Sequence, residues 1–273
     1  MRGRVLVVAG SDSGGGAGIQ ADIKTVMALG GYAMTAVTAL TAQDTRGVHG
    51  VMPVPPDFVQ LQMRVVLDDI GADAIKTGML GDAALIAAIV AVLRQGDVPL
   101  VVDPVMVAKG GASLLGEGAV AAMRAHLFPR AAVIIPNIPE AEVLVGYRIA
   151  TEAQMRAAAA ELVGQGVAAV LLKGGHLDGE EVVDLLATPD GITAFRSERI
   201  HSTHTHGTGC TLASAVATGL AQGLSLLASV ERARAYVRDA ILAAPGFGHG
   251  HGPLGHGLFG HRLLGHGLQT KIL

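Results

Sequence analysis

The segment of this chain best suited to chemistry is THGTGCT at residues 205–211, directly before the apolar run 212–220. Glycines at the start of a helix let the backbone approach a ligand closely. The first N–H groups of a helix lack partners, and the helix dipole adds about half a positive charge there. The segment therefore predicts an anion-binding turn at residues 207–210, the alternative being a glycine-rich loop with a buried cysteine. Cys210, the single cysteine of the chain, lies at this turn, where we expect the thiolate to be favoured.

Further polar residues follow the predicted strands at the points where these strands end. They are Asp12, Gln43, Asp103, Asn137, Glu140 and Lys173. Ligands of open parallel sheets bind outside the carboxyl ends of the strands, so these residues are expected to meet at one edge. Carboxylate and amide oxygens suit Mg²⁺, and a lysine offers a point charge for phosphate. Together with the anion-binding turn, this set predicts phosphoryl transfer, in which a protein mainly positions groups and neutralises charge.

Each of these residues also has a simpler interpretation. Asp103 could form an ordinary turn, Asn137 and Glu140 could cap the next helix, and Lys173 could be a solvated strand end. Their joint placement after successive strands favours the shared site over these separate explanations.

Motifs for competing chemistries are missing from the sequence. The glycine loop at residues 11–18 has Ile19 where a dinucleotide fingerprint needs its last glycine. The chain has no Gly-Lys-Ser/Thr of a P-loop and no Gly-x-Ser-x-Gly of a hydrolase elbow.

Apolar runs and helical periodicity alternate along the chain, which predicts crossover units on a mostly parallel sheet. The predicted strands cover residues 5–9, 33–40, 74–77, 100–102, 132–135 and 168–172, with a hairpin of 182–186 and 192–195 near one edge. The predicted helices cover 19–29, 58–69, 83–94, 117–127, 151–162, 210–220 and 226–243. No linker divides residues 1–245, which predicts one domain followed by a tail from residue 246 to 273.

Composition limits the classes of protein that fit. Half of the 273 residues are hydrophobic (50%) and 16% are charged, which suits a large core. A net charge of −3 without a basic block gives no footprint for nucleic acid. The apolar run after Arg4 is too short for a signal peptide, and no stretch reaches the roughly 20 apolar residues of a membrane span. With one cysteine, these features predict a cytoplasmic protein without nucleic-acid or membrane partners.

The tail from Gly246 is rich in glycine, histidine and leucine, and LGHGL at 254–258 recurs at 264–268. Such a tract could bind a metal. Its histidine spacing matches no closed metal site, so a loosely ordered tail is expected.

Taken together, the motifs resemble those of the hydroxymethylpyrimidine/phosphomethylpyrimidine kinases of thiamine biosynthesis, in the ribokinase-like superfamily. The resemblance covers roughly residues 4–254, with mild departures at Thr77 and Pro104. It rests on AGSDSGGGAGIQADIK at 9–24, TALTAQ at 38–43, KTGML at 76–80, VDPVM at 102–106, PNIPE at 136–140, LKGGH at 172–176 and THGTGCT at 205–211. It implies an α/β fold, a ribokinase-like three-layer α/β/α sandwich with a mostly parallel central sheet and a small flap at residues 106–115.

The resemblance also implies an activity and its participants. ATP with Mg²⁺ would phosphorylate the hydroxymethyl group of 4-amino-5-hydroxymethyl-2-methylpyrimidine, and then the resulting monophosphate to the diphosphate. Activation by a monovalent cation stays open, and a homodimer is expected by analogy with the superfamily.

A role for each candidate site residue follows from the same resemblance. The implied substrate-binding residues are Gly10, Ala17, Asp22, Gln43, Met79, Val105 and Val107, of which Gln43 would hydrogen-bond the pyrimidine. The catalytic group would be Gly207, Thr208, Gly209, Cys210 and Lys173. Lys173, Asn137, Glu140 and Thr208 would contact the nucleotide, and Asp103, Asn137 and Glu140 would hold the metal. Most of the superfamily has an aspartate base where this chain has Cys210, so whether the cysteine is a true base stays open.

Two other functions compete with this one. A pyridoxal kinase would share the scaffold and also phosphorylate a hydroxymethyl-bearing heteroaromatic ring, so at least side activity is expected. A catalytically silent pyrimidine-binding regulatory protein is the rival from another class. A mere binder has no need of the metal-binding and phosphate-binding residues, which argues against this second rival.

Overall fold

The computed structural model describes residues 3–93, 98–106, 115–116 and 118–257. Within these ranges the strands are β1 (Arg4–Asp12), β2 (Tyr32–Gln43), β3 (Val48–Pro53), β4 (Ala74–Thr77), β5 (Leu100–Val102), β6 (Val133–Ile134), β7 (Val170–Leu172), β8 (Glu181–Thr188) and β9 (Gly191–Glu198). The α-helices are α1 (Gly18–Ala28), α2 (Pro56–Asp69), α3 (Ala83–Leu93), α4 (Ala119–Ala122), α5 (Ile138–Val145), α6 (Glu152–Gly164), α7 (Thr208–Ala221) and α8 (Leu226–Leu242).

All nine of these strands form one sheet, in the order β3-β2-β1-β4-β5-β6-β7-β8-β9. The six central strands, from β2 to β7, run parallel to one another. Antiparallel strands close both edges, β3 on one side and the β8–β9 hairpin on the other. The predicted mostly parallel sheet and its hairpin are confirmed, whereas β3 was not predicted.

Helices cover both faces of the sheet, because side chains of a strand point alternately to opposite faces. In β1, Leu6 and Val8 join the core beneath α2, α3, α5 and α6. Val5 and Val7 join the other core, beneath α1, α7 and α8. The result is the expected three-layer α/β/α sandwich. The predicted flap, apart from its end residues Met106 and Leu115, lies outside the described residues.

The chain beyond residue 245 is packed as far as residue 257, so the expectation of a loosely ordered tail is wrong there. The Thr45 carbonyl accepts the N–H of His251 at 2.7 Å, and the Gly252 carbonyl accepts that of His206 at 3.1 Å. His256 is 6% exposed, and its Nε2 lies 2.9 Å from Thr211 Oγ1. Residues 258–273 lie outside the described ranges, and the division into a domain and a tail stays a prediction.

No helix in the described ranges is long and apolar enough to cross a membrane.

Candidate active site

A cavity of about 550 Å³ opens where the central strands end, and it brings most of the predicted site residues together. Its lining includes Gly10, Ala17, Gln43, Met79, Asp103, Val105, Asn137, Glu140, Lys173, Gly207, Thr208, Gly209 and Cys210. Val107 lies outside the described residues. Asp22 is the one described member of the predicted set that does not line the cavity.

The turn before α7 has the geometry of an anion-binding site. Gly207 precedes the helix with φ of +85°, in the left-handed region, and a Cβ there would overlap the carbonyl oxygen of Gly16. Within the described ranges, the N–H groups of Gly209 and Cys210 have no protein acceptor. A Cβ on Gly209 would lie 3.3 Å from the Nζ of Lys173, so the bare backbone faces that lysine. These groups leave room and donors for a phosphate oxygen.

Lys173, Asp103 and Glu140 form a charged cluster at the end of the cavity beside this turn. Lys173 Nζ lies 3.1 Å from Asp103 Oδ1 and 3.9 Å from Glu140 Oε2. Both acids are nearly buried, at 3% and 5% exposure. Burial lowers the pKa of Lys173, but the two acids outweigh it and leave that pKa above its ordinary value. Lys173 is therefore a fixed positive charge in this cluster.

Glu140 is held in place by a helix cap. Asn137 is the N-cap residue directly before α5. Its side-chain oxygen accepts the N–H of Glu140 at 2.9 Å, while Glu140 Oε2 accepts the N–H of Asn137 at 2.7 Å. This reciprocal pair is a capping box. The simpler interpretation of these two residues is therefore confirmed, and the cap also directs the Glu140 carboxylate toward Lys173.

The acidic cluster fits a magnesium ion that keeps most of its water. Mg²⁺ usually takes one or two protein carboxylates together with waters and phosphate oxygens. Among the described residues, no group of three or more His, Cys, Asp or Glu side chains could hold a metal by itself. Burial raises the pKa of Glu140 to about 7, against the opposing effect of Lys173 and with the help of Asp103. A divalent cation bound there would favour the carboxylate form.

Cys210 differs from its sequence-based expectation. Protein packed around the sulfur raises the pKa of the thiol to about 12; Lys76 opposes this shift, and Asp22 and Asp103 add to it. The helix start therefore does not produce a thiolate in this structure, because desolvation of the charged sulfur outweighs the helix dipole. The expected thiolate is corrected to a neutral thiol.

Asp22 lies behind the cavity wall, in an ion pair that sequence reasoning did not identify. Both of its oxygens are 3.0 Å from Lys76 Nζ, and Ser214 Oγ donates to it at 2.6 Å. Asp22 and Lys76 are both 0% exposed. The predicted contact of Asp22 with substrate is therefore corrected to a contact with Lys76. A lysine inside the short buried strand AIKT was the available signal for such a partner.

Other residues of the cavity lining are suited to a heteroaromatic ring. Met79 and Gly10 are close neighbours, since a Cβ on Gly10 would lie 3.3 Å from the Met79 sulfur. Gln43 lies next to His206, with 3.3 Å between Gln43 Nε2 and His206 Nε2. His206 in turn contacts Asp12 at 2.9 Å. The sequence analysis gave His206 no role of its own, although it stands within the THGTGCT motif.

Thr77, one of the two mild departures from the family motifs, has a buried hydroxyl without a hydrogen-bond partner among the described residues. Burying such a group costs about 1–3 kcal/mol. We expect Thr77→Val to raise the free energy of unfolding by about 1 kcal/mol, because valine keeps the shape and removes the hydroxyl. Urea denaturation measures this change. Thr218→Val is the matched control, because its equally buried hydroxyl donates to the Ser214 carbonyl at 2.6 Å. A gain of equal size in both variants would contradict the explanation.

A mostly parallel sheet between two helical layers, with this turn and this lysine–carboxylate cluster at its edge, defines a ribokinase-like kinase of small molecules. Residues 12–255 match the phosphomethylpyrimidine kinase family. The chain belongs to that family.

Individual relatives agree with this assignment. The chain is 49% identical to the hydroxymethylpyrimidine/phosphomethylpyrimidine kinase of Streptomyces coelicolor, over 92% of this chain and 93% of that protein. It is 54% identical to the thiamine biosynthesis bifunctional protein ThiED of Geobacter sulfurreducens over 93% of this chain, and spans about half (52%) of that longer protein.

Solved structures of similar proteins include both kinds of vitamin kinase. Phosphomethylpyrimidine kinase of Clostridium difficile superposes with a TM-score of 0.77 at 40% identity, over 87% of this chain and 99% of that one. Pyridoxal kinase of Staphylococcus aureus, in complex with AMP-PCP and pyridoxal, superposes with a TM-score of 0.87 at 36% identity, over 94% of both chains.

Proposed function

We propose that this protein uses ATP and Mg²⁺ to phosphorylate 4-amino-5-hydroxymethyl-2-methylpyrimidine, and then phosphorylates the monophosphate to the diphosphate for thiamine biosynthesis. The observation that carries the proposal is the single cavity in which Lys173, Asp103 and Glu140 stand beside the turn at residues 207–210. Membership of the phosphomethylpyrimidine kinase family supplies the substrate class. ATP use is supported by the AMP-PCP complex of the similar pyridoxal kinase.

The chain's own groups supply positioning and charge. Lys173 and the free N–H groups of Gly209 and Cys210 stabilise negative charge on the phosphoryl group as it moves. Gln43 and Met79 hold the ring so that the substrate oxygen faces this turn. Mg²⁺ at Asp103 and Glu140 would neutralise charge on the ATP phosphates. Loose phosphoryl-transfer transition states need little help from a base, so a neutral Cys210 thiol is compatible with turnover.

Substitution of Cys210 tests whether the first phosphorylation uses a base at this position. The first step must lose a hydroxyl proton, whereas the second attacks with a phosphate that is already largely ionised. Because a neutral thiol cannot accept that proton, we expect Cys210→Ala to slow both steps to a similar extent, with Cys210→Ser as the smaller change. Single-turnover rates on the alcohol and on the monophosphate make this comparison. Slowing of the first step alone would show that the sulfur does accept the hydroxyl proton. Since the thiol pKa is about 12, slow alkylation by iodoacetamide at pH 8 is expected too.

Pyridoxal kinase activity is the second candidate, favoured by the similarity to pyridoxal kinases at TM-scores of 0.87 and 0.88. We propose it as a side activity, because identity to the curated pyrimidine kinases reaches 49% over nearly full length, against 36% for these two pyridoxal kinases. A silent regulatory protein is less well supported, since the buried cluster of Lys173, Asp103 and Glu140 has no purpose in a mere binder.

The proposal extends to the assembly and the location of the protein. We propose a homodimer, since β3 and α2 carry exposed apolar side chains, at Val51, Met52, Phe58, Leu61 and Val65. Burial of these side chains against a second copy would be favourable. We also propose a cytoplasmic location, as expected from the single cysteine, and leave monovalent-cation activation to be tested with K⁺ and Na⁺.

Steady-state ATP turnover tests the proposed function. We expect Mg²⁺-dependent turnover with the hydroxymethylpyrimidine and a lower kcat/KM with pyridoxal. Lys173→Met is expected to bind the pyrimidine and lose most of its turnover. Binding of the pyrimidine without turnover by the wild-type protein would favour the silent binder instead.

A further inference from the structure

We propose that Asp12 and His206 are positioning residues for the substrate. They set the hydrogen-bonding direction of the Gln43 amide, and they fix the glycine loop relative to the anion-binding turn. The inference rests on the proposed function, because it names how that site selects its substrate. His206 is 7% exposed and Asp12 is 2% exposed, so the contact between these two side chains is shielded from solvent.

The Asp12 carboxylate accepts three backbone N–H groups of the glycine loop. Its Oδ1 accepts the N–H of Gly14 at 2.8 Å, and its Oδ2 accepts those of Gly16 and Ala17 at 3.0 and 2.8 Å. Burial alone would raise the pKa of Asp12, but these bonds and the one from His206 outweigh it and leave that pKa lowered. An ionised carboxylate can only accept hydrogen bonds.

The acceptor character of Asp12 fixes the state of His206. His206 Nε2 lies 2.9 Å from Asp12 Oδ2, and its hydrogen bond must therefore be donated by the ring. A neutral ring that donates from Nε2 carries its one proton there, and a charged ring carries a proton on both nitrogens. In neither case can His206 Nε2 accept a hydrogen bond from Gln43.

Because His206 Nε2 is a donor, it determines whether the oxygen or the nitrogen of the Gln43 amide faces it. An amide nitrogen 3.3 Å from His206 Nε2 would set two donors against each other. With the oxygen at that end, the nitrogen lies 3.2 Å from Thr41 Oγ1 and donates to it. Thr41 can accept this bond because its own proton goes to the Ser11 carbonyl at 2.9 Å. In this arrangement no two donors face each other.

The consequence is a donor pointing at the substrate. One N–H of Gln43 goes to Thr41, and the other is left for the ligand. The site therefore selects a ring that offers a hydrogen-bond acceptor at this point, such as an unprotonated ring nitrogen. A ligand that offered only a donor would leave two N–H groups facing each other, which is unfavourable in a partly buried site.

His206 also joins two parts of the site through its backbone and ring. A Cβ on Gly16 would overlap the His206 ring, and Gly207, the next residue, packs against the Gly16 carbonyl. The His206 N–H donates to Gly252 at 3.1 Å, which adds the packed C-terminal segment to the contact. The ring-binding loop and the anion-binding turn are thus held against one another at His206.

The state of the His206 ring is the direct test, because it does not depend on activity. Nitrogen-15 NMR of the full-length protein at pH 7.5, with the His206 signal assigned from its loss in His206→Gln, is expected to show a proton on Nε2. A proton on Nδ1 alone would overturn the proposal.

Kinetics of matched variants test the consequence for the substrate. We expect His206→Leu to raise the KM for the pyrimidine about tenfold, the cost of about one hydrogen bond, with the KM for ATP within about twofold of wild type. His206→Gln retains a donor toward Asp12 and is expected to recover most of the loss. His201→Leu removes an exposed histidine of the same segment and is expected to change neither value. If the wild type is active and His206→Leu leaves the KM for the pyrimidine unchanged, the positioning role of His206 is contradicted while the proposed function stands.

The Gln43 direction has its own test. Gln43→Glu presents an acceptor where the proposal requires a donor, so it is expected to impair pyrimidine binding at least as much as Gln43→Leu. Better binding by Gln43→Glu than by Gln43→Leu would show the opposite amide direction and overturn this part. A wild-type protein that phosphorylates no substrate would contradict the proposed function, while the NMR result would still decide the state of His206.

Discussion

Gly207→Ala is expected to lower kcat for both phosphorylation steps by at least about 10²–10³-fold, the range found when a charge-stabilising donor is lost. Gly207 has φ of +85°, and a Cβ there would overlap the carbonyl oxygen of Gly16. The turn must therefore move away from the glycine loop. Its free N–H groups at Gly209 and Cys210 move with it, away from the phosphoryl group that they are proposed to stabilise.

A glycine beyond the other end of α7 separates the cost of a left-handed backbone from the effect of moving the turn. Gly223, just beyond the C-terminal end of α7, has nearly the same φ of +83°, but nothing lies within 4 Å of a Cβ added there. We expect Gly223→Ala to lose about 1–2 kcal/mol of stability, as any left-handed alanine does, with kcat near that of wild type. Kinetic assays and urea denaturation of both variants measure the two effects. Similar kcat values for the two would show that the turn is not the phosphoryl-binding element.

Lys76→Met is expected to lower the free energy of unfolding by about 3–5 kcal/mol, because it leaves the buried Asp22 without its counter-charge. That is a large share of the total stability of about 5–15 kcal/mol that folded proteins have. The double variant Lys76→Met with Asp22→Asn removes both charges and is expected to recover most of the loss. Arg156→Met breaks a surface pair with Glu152 and is expected to cost less than about 1 kcal/mol.

The stability deficit of Lys76→Met is expected to depend on pH. Burial raises the pKa of Asp22 above its ordinary value, and loss of Lys76 removes the main opposing effect. A carboxyl group with a raised folded-state pKa contributes stability below its unfolded pKa, about 3.9, and this contribution is lost as pH rises through the folded value. The deficit is therefore expected to be larger at pH 8 than at pH 5. Urea denaturation at both values gives the comparison, and a deficit that shrinks toward pH 8 would contradict the role of Asp22.

The parts of this site that the sequence predicted are those fixed by strand ends and helix starts. Asp103 and Lys173 meet because each follows a strand of one parallel sheet, and parallel strands end at the same edge. Gly207 and Gly209 were predicted from their place before an apolar helix. These relations are local or follow from topology, so they can be inferred before any side-chain packing is known.

The predictions that failed depended on packing between distant segments. Cys210 has the local setting of a thiolate, but the protein around its sulfur makes it a thiol. The glycine- and histidine-rich stretch after residue 245 has a low-complexity composition, which suggests disorder. It is packed instead, and a Cβ on Gly250 would overlap the Thr45 carbonyl. Asp22 was correctly predicted to lie in a helix, but its contact with Lys76 depends on how α1 packs on the sheet.

A time course of products resolved by mass tests the proposed pyrimidine kinase activity directly. Purified full-length protein would be given ATP, Mg²⁺ and the hydroxymethylpyrimidine, with pyridoxal in a parallel reaction. We expect the pyrimidine monophosphate to rise and then fall as the diphosphate accumulates, with pyridoxal phosphate forming more slowly. Accumulation of pyridoxal phosphate in preference to either pyrimidine product would contradict the account and make this chain a pyridoxal kinase.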